Sequence, residues 1–274
     1  MTKTVVAYWC GDRLSWLRYL SVLSFVTMNP DWRFHLYYGQ NPVKSRDWIG
    51  GETQDFLKYR GPDYWEHLRE LDQVELIQWV NPYGVTNPLH ERDLFRWSYL
   101  YINGGIFVDL DLLWLKAFEP IADDLSCELG LCATSEDIFL GVIAAQPRSA
   151  VIAGVLDASR CNLQAGSYHS TGTDAITKYL GRHCGIVGAL IEKHQDVGIC
   201  FVHPGILNPW NYMQVGMCFS DSVSEEMYEG CYAIHWWGSH PIAQEFNNRM
   251  NADTYERYDN VLARVAGKLY EGMR

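Results

Sequence analysis

Two aspartates one residue apart, Asp109 and Asp111, close a short apolar run of β-formers, Ile106-Phe107-Val108. On a strand, residues two apart leave the same face roughly 7 Å apart along the chain. Two anions so placed repel each other unless a cation sits between them. Hard oxygen ligands in that arrangement suit Mg²⁺ or Mn²⁺ rather than zinc. Such an ion would hold a diphosphate and neutralise the charge that grows as a diphosphate departs. A bare Asp-x-Asp arises about once by chance in an aspartate-rich chain of 274 residues, and its plain alternative is a pair of side chains capping the strand's exit. The setting favours a site, because open α/β sheets place ligands at the carboxyl ends of their strands.

A second pair precedes the first. Asp93 and Arg96 stand three apart, hence on one face of a helix. The plain reading is an intrahelical ion pair worth ~0.3 kcal/mol. The sharper one gives Asp93 sugar hydroxyls to accept from and gives Arg96 the sugar or diphosphate oxygens.

The elements that must position these groups are legible around them. Leu94, Trp97, Leu100 and Tyr101 recur at helical spacing after Pro88, and Asn103-Gly104-Gly105 stops the helix before the strand that leads to Asp109. Upstream, Thr4 to Trp9 reads as a strand, Leu14 to Met28 as a helix and Trp32 to Tyr38 as a second strand, a βαβ opening. Val74 to Val80 is a further strand. Downstream come strands at Gly130 to Thr134, Ile138 to Ala145, Ile199 to His203 and Tyr232 to His235. Helices follow Ala150 and Ser170, and a closing amphipathic helix covers about 251–270. Strands alternating with helices over residues 1–274 predict one α/β domain on a mostly parallel sheet.

Composition narrows the function. The chain is 48% hydrophobic and 14% aromatic, ample for a large core, and its net charge of -11 offers no basic footprint for a polyanionic strand. Eight cysteines without Cys-x-x-Cys spacing indicate neither a zinc ribbon nor a disulfide framework. Met1-Thr2-Lys3 runs straight into a strand, and no apolar segment nears the ~20 residues that span a bilayer. An unexported cytoplasmic protein with no membrane span is expected, in a host-cell cytoplasm if the source is a virus or an effector-secreting cell.

Taken jointly, Asp93, Arg96, Gly104-Gly105, Phe107, Asp109 and Asp111 resemble the glycosyltransferases with a DXD sugar-binding region, which include α-1,6-mannosyltransferase-like enzymes, capsular-polysaccharide enzymes and glucosylating toxins. The likeness extends to Ala7-Tyr8-Trp9-Cys10-Gly11, to Asn29-Pro30-Asp31-Trp32, to Thr171-Gly172-Thr173 and to Ile234-His235-Trp236-Trp237. Two positions depart from the family pattern: Thr173 replaces a proline, and Phe107 replaces a tyrosine. The resemblance implies a GT-A (Rossmann-like) fold, Mn²⁺ or Mg²⁺, and hexose transfer from a nucleotide-sugar donor, UDP-glucose or UDP-galactose favoured, with retention. It implies a donor site of Tyr8, Trp9, Asp93, Arg96, Phe107, Asp109 and Trp237, with Trp9 on the base and Asp93 and Arg96 on the sugar. It implies a metal site of Asp109, Asp111 and His235, and catalytic roles for Asp93, Arg96, Asp109 and Asp111. Were the transfer inverting, Glu136, Asp137 or Asp174 would have to act as base. A GDP-mannose donor and a non-catalytic nucleotide-sugar or glycan-binding module holding Ca²⁺ are the alternatives. The acceptor, a glycan, a protein or a modified nucleobase, would be met by loops near 41–72 and 204–230.

Overall fold

The computed structural model describes residues 3–39, 59–134, 138–164, 166–184 and 198–272. Its layers are set by alternation along the first strand, β1 (Thr4–Trp9), which is buried on both faces. Val5, Ala7 and Trp9 enter one core, and Val6 and Tyr8 enter another. A strand covered on both sides lies in the middle of a sheet with helices above and below.

In chain order the elements are β1, α1 (Trp16–Met28), β2 (Arg33–Gly39), α2 (Trp65–Arg69), β3 (Val74–Trp79), α3 (Pro88–Asn103), β4 (Gly105–Val108), β5 (Leu112–Trp114), α4 (Glu119–Asp124), β6 (Leu129–Ala133), β7 (Ile138–Ala145), α5 (Ala150–Cys161), α6 (Thr173–Cys184), β8 (Ile199–Val202), β9 (Ala233–His235), α7 (Pro241–Arg249) and α8 (Val261–Gly272). A seven-stranded sheet has the order β3-β2-β1-β4-β7-β6-β8. β7 pairs antiparallel with both its neighbours and every other pairing is parallel, so six strands share one direction. This is the mixed α/β architecture, mostly parallel, that the alternation of elements predicts.

β5 and β9 form a separate antiparallel ribbon, with Leu112 opposite His235. A two-stranded ribbon is marginal by itself, and α1 supports this one. Ser24 Oγ accepts from Trp114 N at 2.9 Å, Asn29 Oδ1 accepts from Phe118 N at 2.6 Å, and Ser21 Oγ accepts from the indole of Trp236 at 3.2 Å. These contacts account for polar residues on a helix that is otherwise buried from Trp16 to Val26.

Two expectations shift. Asp109 and Asp111 do not stand on one strand face: β4 ends at Val108, and both lie in the turn between β4 and β5. The chain turns because residues 112–114 leave the main sheet to join β9. The closing helix begins at Val261, not near 251, because Asn251 folds its own segment into a turn, accepting from Asp253 N at 2.9 Å, and Asn260 starts the helix by accepting from Ala263 N at 2.9 Å.

The link from α3 to β4 rests on Gly104, whose φ is +64° and where an added Cβ would lie 2.6 Å from the ring of Pro147. Gly105 also has positive φ, +96°, but open space around it. Gly105→Ala is therefore expected to cost about 1–2 kcal/mol in chemical denaturation, and Gly104→Ala to cost more, because a backbone collision adds to the strain. Equal costs would contradict this account of the turn.

Candidate active site

The turn after β4 brings the acidic pair to the carboxyl edge of the sheet. Asp109 N donates to Gly141 O at 2.8 Å, extending the β4–β7 ladder by one bond before the chain departs. Asp111 is then held by the closing segment: Trp236 N donates to its carbonyl at 2.9 Å, and Gly238 N donates to its Oδ2 at 2.7 Å. Because β9 pairs with β5, His235 arrives beside it, Nε2 lying 3.1 Å from Asp111 Oδ1. One ligand atom from each of Asp109, Asp111 and His235 lies within 4.8 Å of the others.

This donor set fits a divalent cation. Two carboxylates and an imidazole suit Mn²⁺ or Mg²⁺, with the nitrogen favouring Mn²⁺. His235 turns Nε2 towards Asp111, and its buried Nδ1 has no hydrogen-bond partner among the described residues. The two carboxyls differ. Burial raises the pKa of Asp109 despite Arg92 and Arg96, whereas for Asp111 burial is outweighed by His235, Arg18 and the Gly238 N–H, which hold it below the usual carboxylate range.

Over the cluster opens a cavity of about 220 Å³. Tyr8, Trp9 and Cys10 at the end of β1 line it, with Leu89 and Arg92 of α3, Ile138 to Gly141 of β7, and Asp109 to Asp111. Tyr168, His169 and Thr173 face it from one side and His235, Trp237, Ser239 and Arg18 from the other. Trp237 takes φ +53°, a left-handed conformation unusual for a bulky residue, and donates its indole N–H to Trp210 O at 3.0 Å. Trp9 also borders a second recess of about 370 Å³ with Tyr38, Asp63 and Trp65.

The structure thus gathers Tyr8, Trp9, Asp109, Asp111, His235 and Trp237 around one cavity. Asp93, Arg96 and Phe107 stand one layer behind its wall. Arg96 is fully buried, bonds to Asp93, donates to Leu140 O at 2.8 Å and lies over the Phe107 ring at 5.0 Å. Asp93 takes a further hydrogen bond from Thr171 Oγ1 at 3.0 Å. Asp93 and Arg96, expected to hold a sugar, bond to each other as a buried intrahelical pair. The charged side chain of the same helix that lines the cavity is Arg92, 3.4 Å from Asp93 and 3.9 Å from Asp109. Burial opposes its charge, but those two carboxylates prevail and raise its pKa. Arg92, Arg18, Tyr168 and His169 escape sequence reading; only Arg18, a lone charge inside an apolar helix, leaves a trace there. Asp174 is exposed on the first turn of α6 and does not line the cavity. Glu136 and Asp137, and residues 41–58 of the expected acceptor loop, lie outside the described residues.

No family model and no curated protein matches the chain. Among solved structures, the PaToxG glycosyltransferase is 14% identical with a TM-score of 0.47, the alignment covering 97% of this chain and 86% of that one. The galactosyltransferase LgtC, solved with donor and acceptor sugar analogs, is 12% identical with a TM-score of 0.42, covering 97% and 95%. Mouse xyloside xylosyltransferase 1 is 12% identical with a TM-score of 0.45, covering 88% and 99%.

Beside the cavity, Tyr8 donates to Glu91 Oε1 at 2.8 Å. Burial lifts the pKa of Glu91, and the Tyr8 bond offsets it only in part. Folding therefore favours the neutral acid: the contribution is complete below the ordinary glutamate pKa and fades as pH rises through the lifted value. Glu91→Gln, which keeps the acceptor oxygen, should melt higher than wild type at pH 7.5, with the advantage shrinking towards pH 4. A melting difference independent of pH would show that Glu91 does not titrate between the folded and unfolded states.

Proposed function

We propose that the chain is a metal-dependent glycosyltransferase of GT-A type, moving a hexose from a nucleotide-sugar donor to an acceptor hydroxyl with retention. The observation that carries the reading is the Asp109–Asp111–His235 cluster at the mouth of a cavity on the carboxyl edge of the sheet. These three residues would hold Mn²⁺ or Mg²⁺, which when bound supplies positive charge to a departing diphosphate. The sequence pattern from Asp93 to Asp111 supports a sugar donor over other diphosphates.

The chain's own side chains then divide the work. Trp9 and Trp237 offer indole faces to a base and a sugar. Gly238 N–H and His235 fix the Asp111 carboxylate, so that its Oδ1 keeps one orientation. Asp93 and Arg96 act from behind: with Thr171 they anchor the guanidinium of Arg92 next to Asp109, leaving its edge for donor oxygens. Phe107 packs against Arg96, its ring 5.0 Å from the guanidinium carbon. UDP-glucose or UDP-galactose is the favoured donor. Cys10, Cys127, Cys132, Cys161, Cys200, Cys218 and Cys231 are free, which fits a reducing compartment such as the cytoplasm. No described helix is long and apolar enough to cross a membrane.

The test is a thermal-shift panel of UDP-glucose, UDP-galactose and GDP-mannose with and without Mn²⁺. A donor at 100 times its Kd should stabilise the protein by about 2.7 kcal/mol, only with the metal present. Asp111→Asn should abolish that shift and Mn²⁺-dependent donor hydrolysis while the protein stays folded at the assay temperature, its melting temperature without ligand falling because His235, Arg18 and the Gly238 N–H lose their anion. Full hydrolysis by Asp111→Asn would end the metal assignment. A shift with GDP-mannose alone would move the donor to the mannosyl branch, and free sugar binding with Ca²⁺ and no nucleotide preference would replace the enzyme by a binding module. NMR of the product should show the donor's anomeric configuration; the opposite anomer would end the claim of retention.

A further inference from the structure

Three guanidinium groups surround the acidic turn, and they are not equivalent. Arg96 has Asp93, and Arg92 has both Asp93 and Asp109. Arg18 is only 4% exposed, yet among the described residues no carboxylate lies within 4.0 Å of it. Its nearest polar partner is Ser15 Oγ, 3.3 Å from Nη1. A buried cation without a counter-ion costs several kcal/mol unless something compensates. Part of the compensation is aromatic: the guanidinium carbon lies 4.2 Å from the Trp9 ring and 5.2 Å from the Trp236 ring. Burial still dominates and pushes the pKa down to about 10, opposed by the more distant Asp111, so the group stays charged at neutral pH.

Space around Arg18 is kept open where the closing segment passes. A Cβ on Gly238 would lie 2.8 Å from Arg18 Nη2, and the same glycine donates its N–H to Asp111 at 2.7 Å. Arg18 also lines the cavity beside Asp111 and Trp237. The closing segment itself, His235-Trp236-Trp237-Gly238-Ser239-His240-Pro241, carries no lysine or arginine. With two indoles against the guanidinium and Nη1 donating to Ser15 Oγ, the remaining N–H groups of Arg18 are left to a ligand. A planar fork of N–H donors matches phosphate oxygens.

We propose that Arg18 is a phosphate-binding residue, its guanidinium edge taking a phosphate of a nucleoside diphosphate held against Asp111. The assignment rests on the donor reading above and adds to it the one arginine lining the cavity that has no carboxylate within 4.0 Å among the described residues. The indoles set the plane of the guanidinium, so binding requires no reordering of a long side chain. Trp9 thereby acquires a role in holding the arginine.

Calorimetry with Mn²⁺ and UDP, GDP, pyrophosphate or uridine tests this on wild type, Arg18→Lys and Arg18→Gln. Wild type should bind UDP or GDP, and Arg18→Gln should lose about 10- to 100-fold of that affinity while binding Mn²⁺ alone and uridine as wild type does. Arg18→Lys should recover part of the loss. Nucleoside diphosphate binding by Arg18→Gln at wild-type affinity overturns the assignment and leaves the donor reading standing. Pyrophosphate binding that depends on Arg18, with no added affinity for UDP or GDP, keeps the phosphate site and fails the donor reading. Binding of neither pyrophosphate nor nucleotide by wild type overturns both. Should both variants fail to fold, the guanidinium ¹⁵N–¹H resonances of Arg18 in the wild-type protein decide: they should move on adding UDP with Mg²⁺ and not on adding uridine, and no movement overturns the proposal.

Discussion

The constraint on which the rest of the site depends is the cost of burying charge. Asp93, Asp109, Asp111, Arg18, Arg92 and Arg96 share the carboxyl edge of one sheet, with His235 among them. None could sit there alone, because an isolated charge in a protein interior costs more than any single contact returns. Arg96 is tolerable because Asp93 and Leu140 O take its protons, and Asp93 because Arg96 and Thr171 fill its oxygens. Asp111 is the most stabilised anion, through His235, Arg18 and the Gly238 N–H. Asp109 is the least, and the depth that raises its pKa is the cost a divalent cation would relieve.

The packing of α1 follows from the same constraint. A helix buried on all sides should be wholly apolar, and this one carries Ser15, Arg18, Ser21 and Ser24. Each hydroxyl meets a group that has nowhere else to go: Ser24 a strand N–H, Ser21 an indole N–H, Ser15 the arginine. The β5–β9 ribbon lies against this helix, so the residues that hold Asp111 and His235 in place are hydrogen-bonded to α1 rather than left as a free hairpin.

Much of this was legible from the chain. The helix from Pro88, the glycine stop and the strand from Gly105 to Val108 are written in local chemistry: a cap, a periodicity, a residue that tolerates positive φ. The Asp-x-Asp pair was visible too, but its geometry was not, because the turn that gathers Asp109 and Asp111 is imposed by the pairing of β5 with a strand more than a hundred residues away. Arg92 was hidden for a related reason. Asp93 and Arg96 share a face by spacing, yet which face of α3 meets the cavity is decided by Thr171 and Leu140, neither readable from helical periodicity. His235 was findable only through resemblance, as its meeting with Asp111 is tertiary.

The pairing of Leu112 with His235 also bears on how the site comes into being. The segment that brings His235 to the two carboxylates bonds to Asp111 across a separation of 127 residues, a contact of high order that forms late and slowly. A chain emerging from the ribosome would have its βαβ opening and the α3–β4 hairpin able to collapse well before His235 exists. Until then Asp109 and Asp111 would be a repelling pair beside Arg92. A cation held by Asp109, Asp111 and His235 would need the finished topology, so its binding would report completion of the fold.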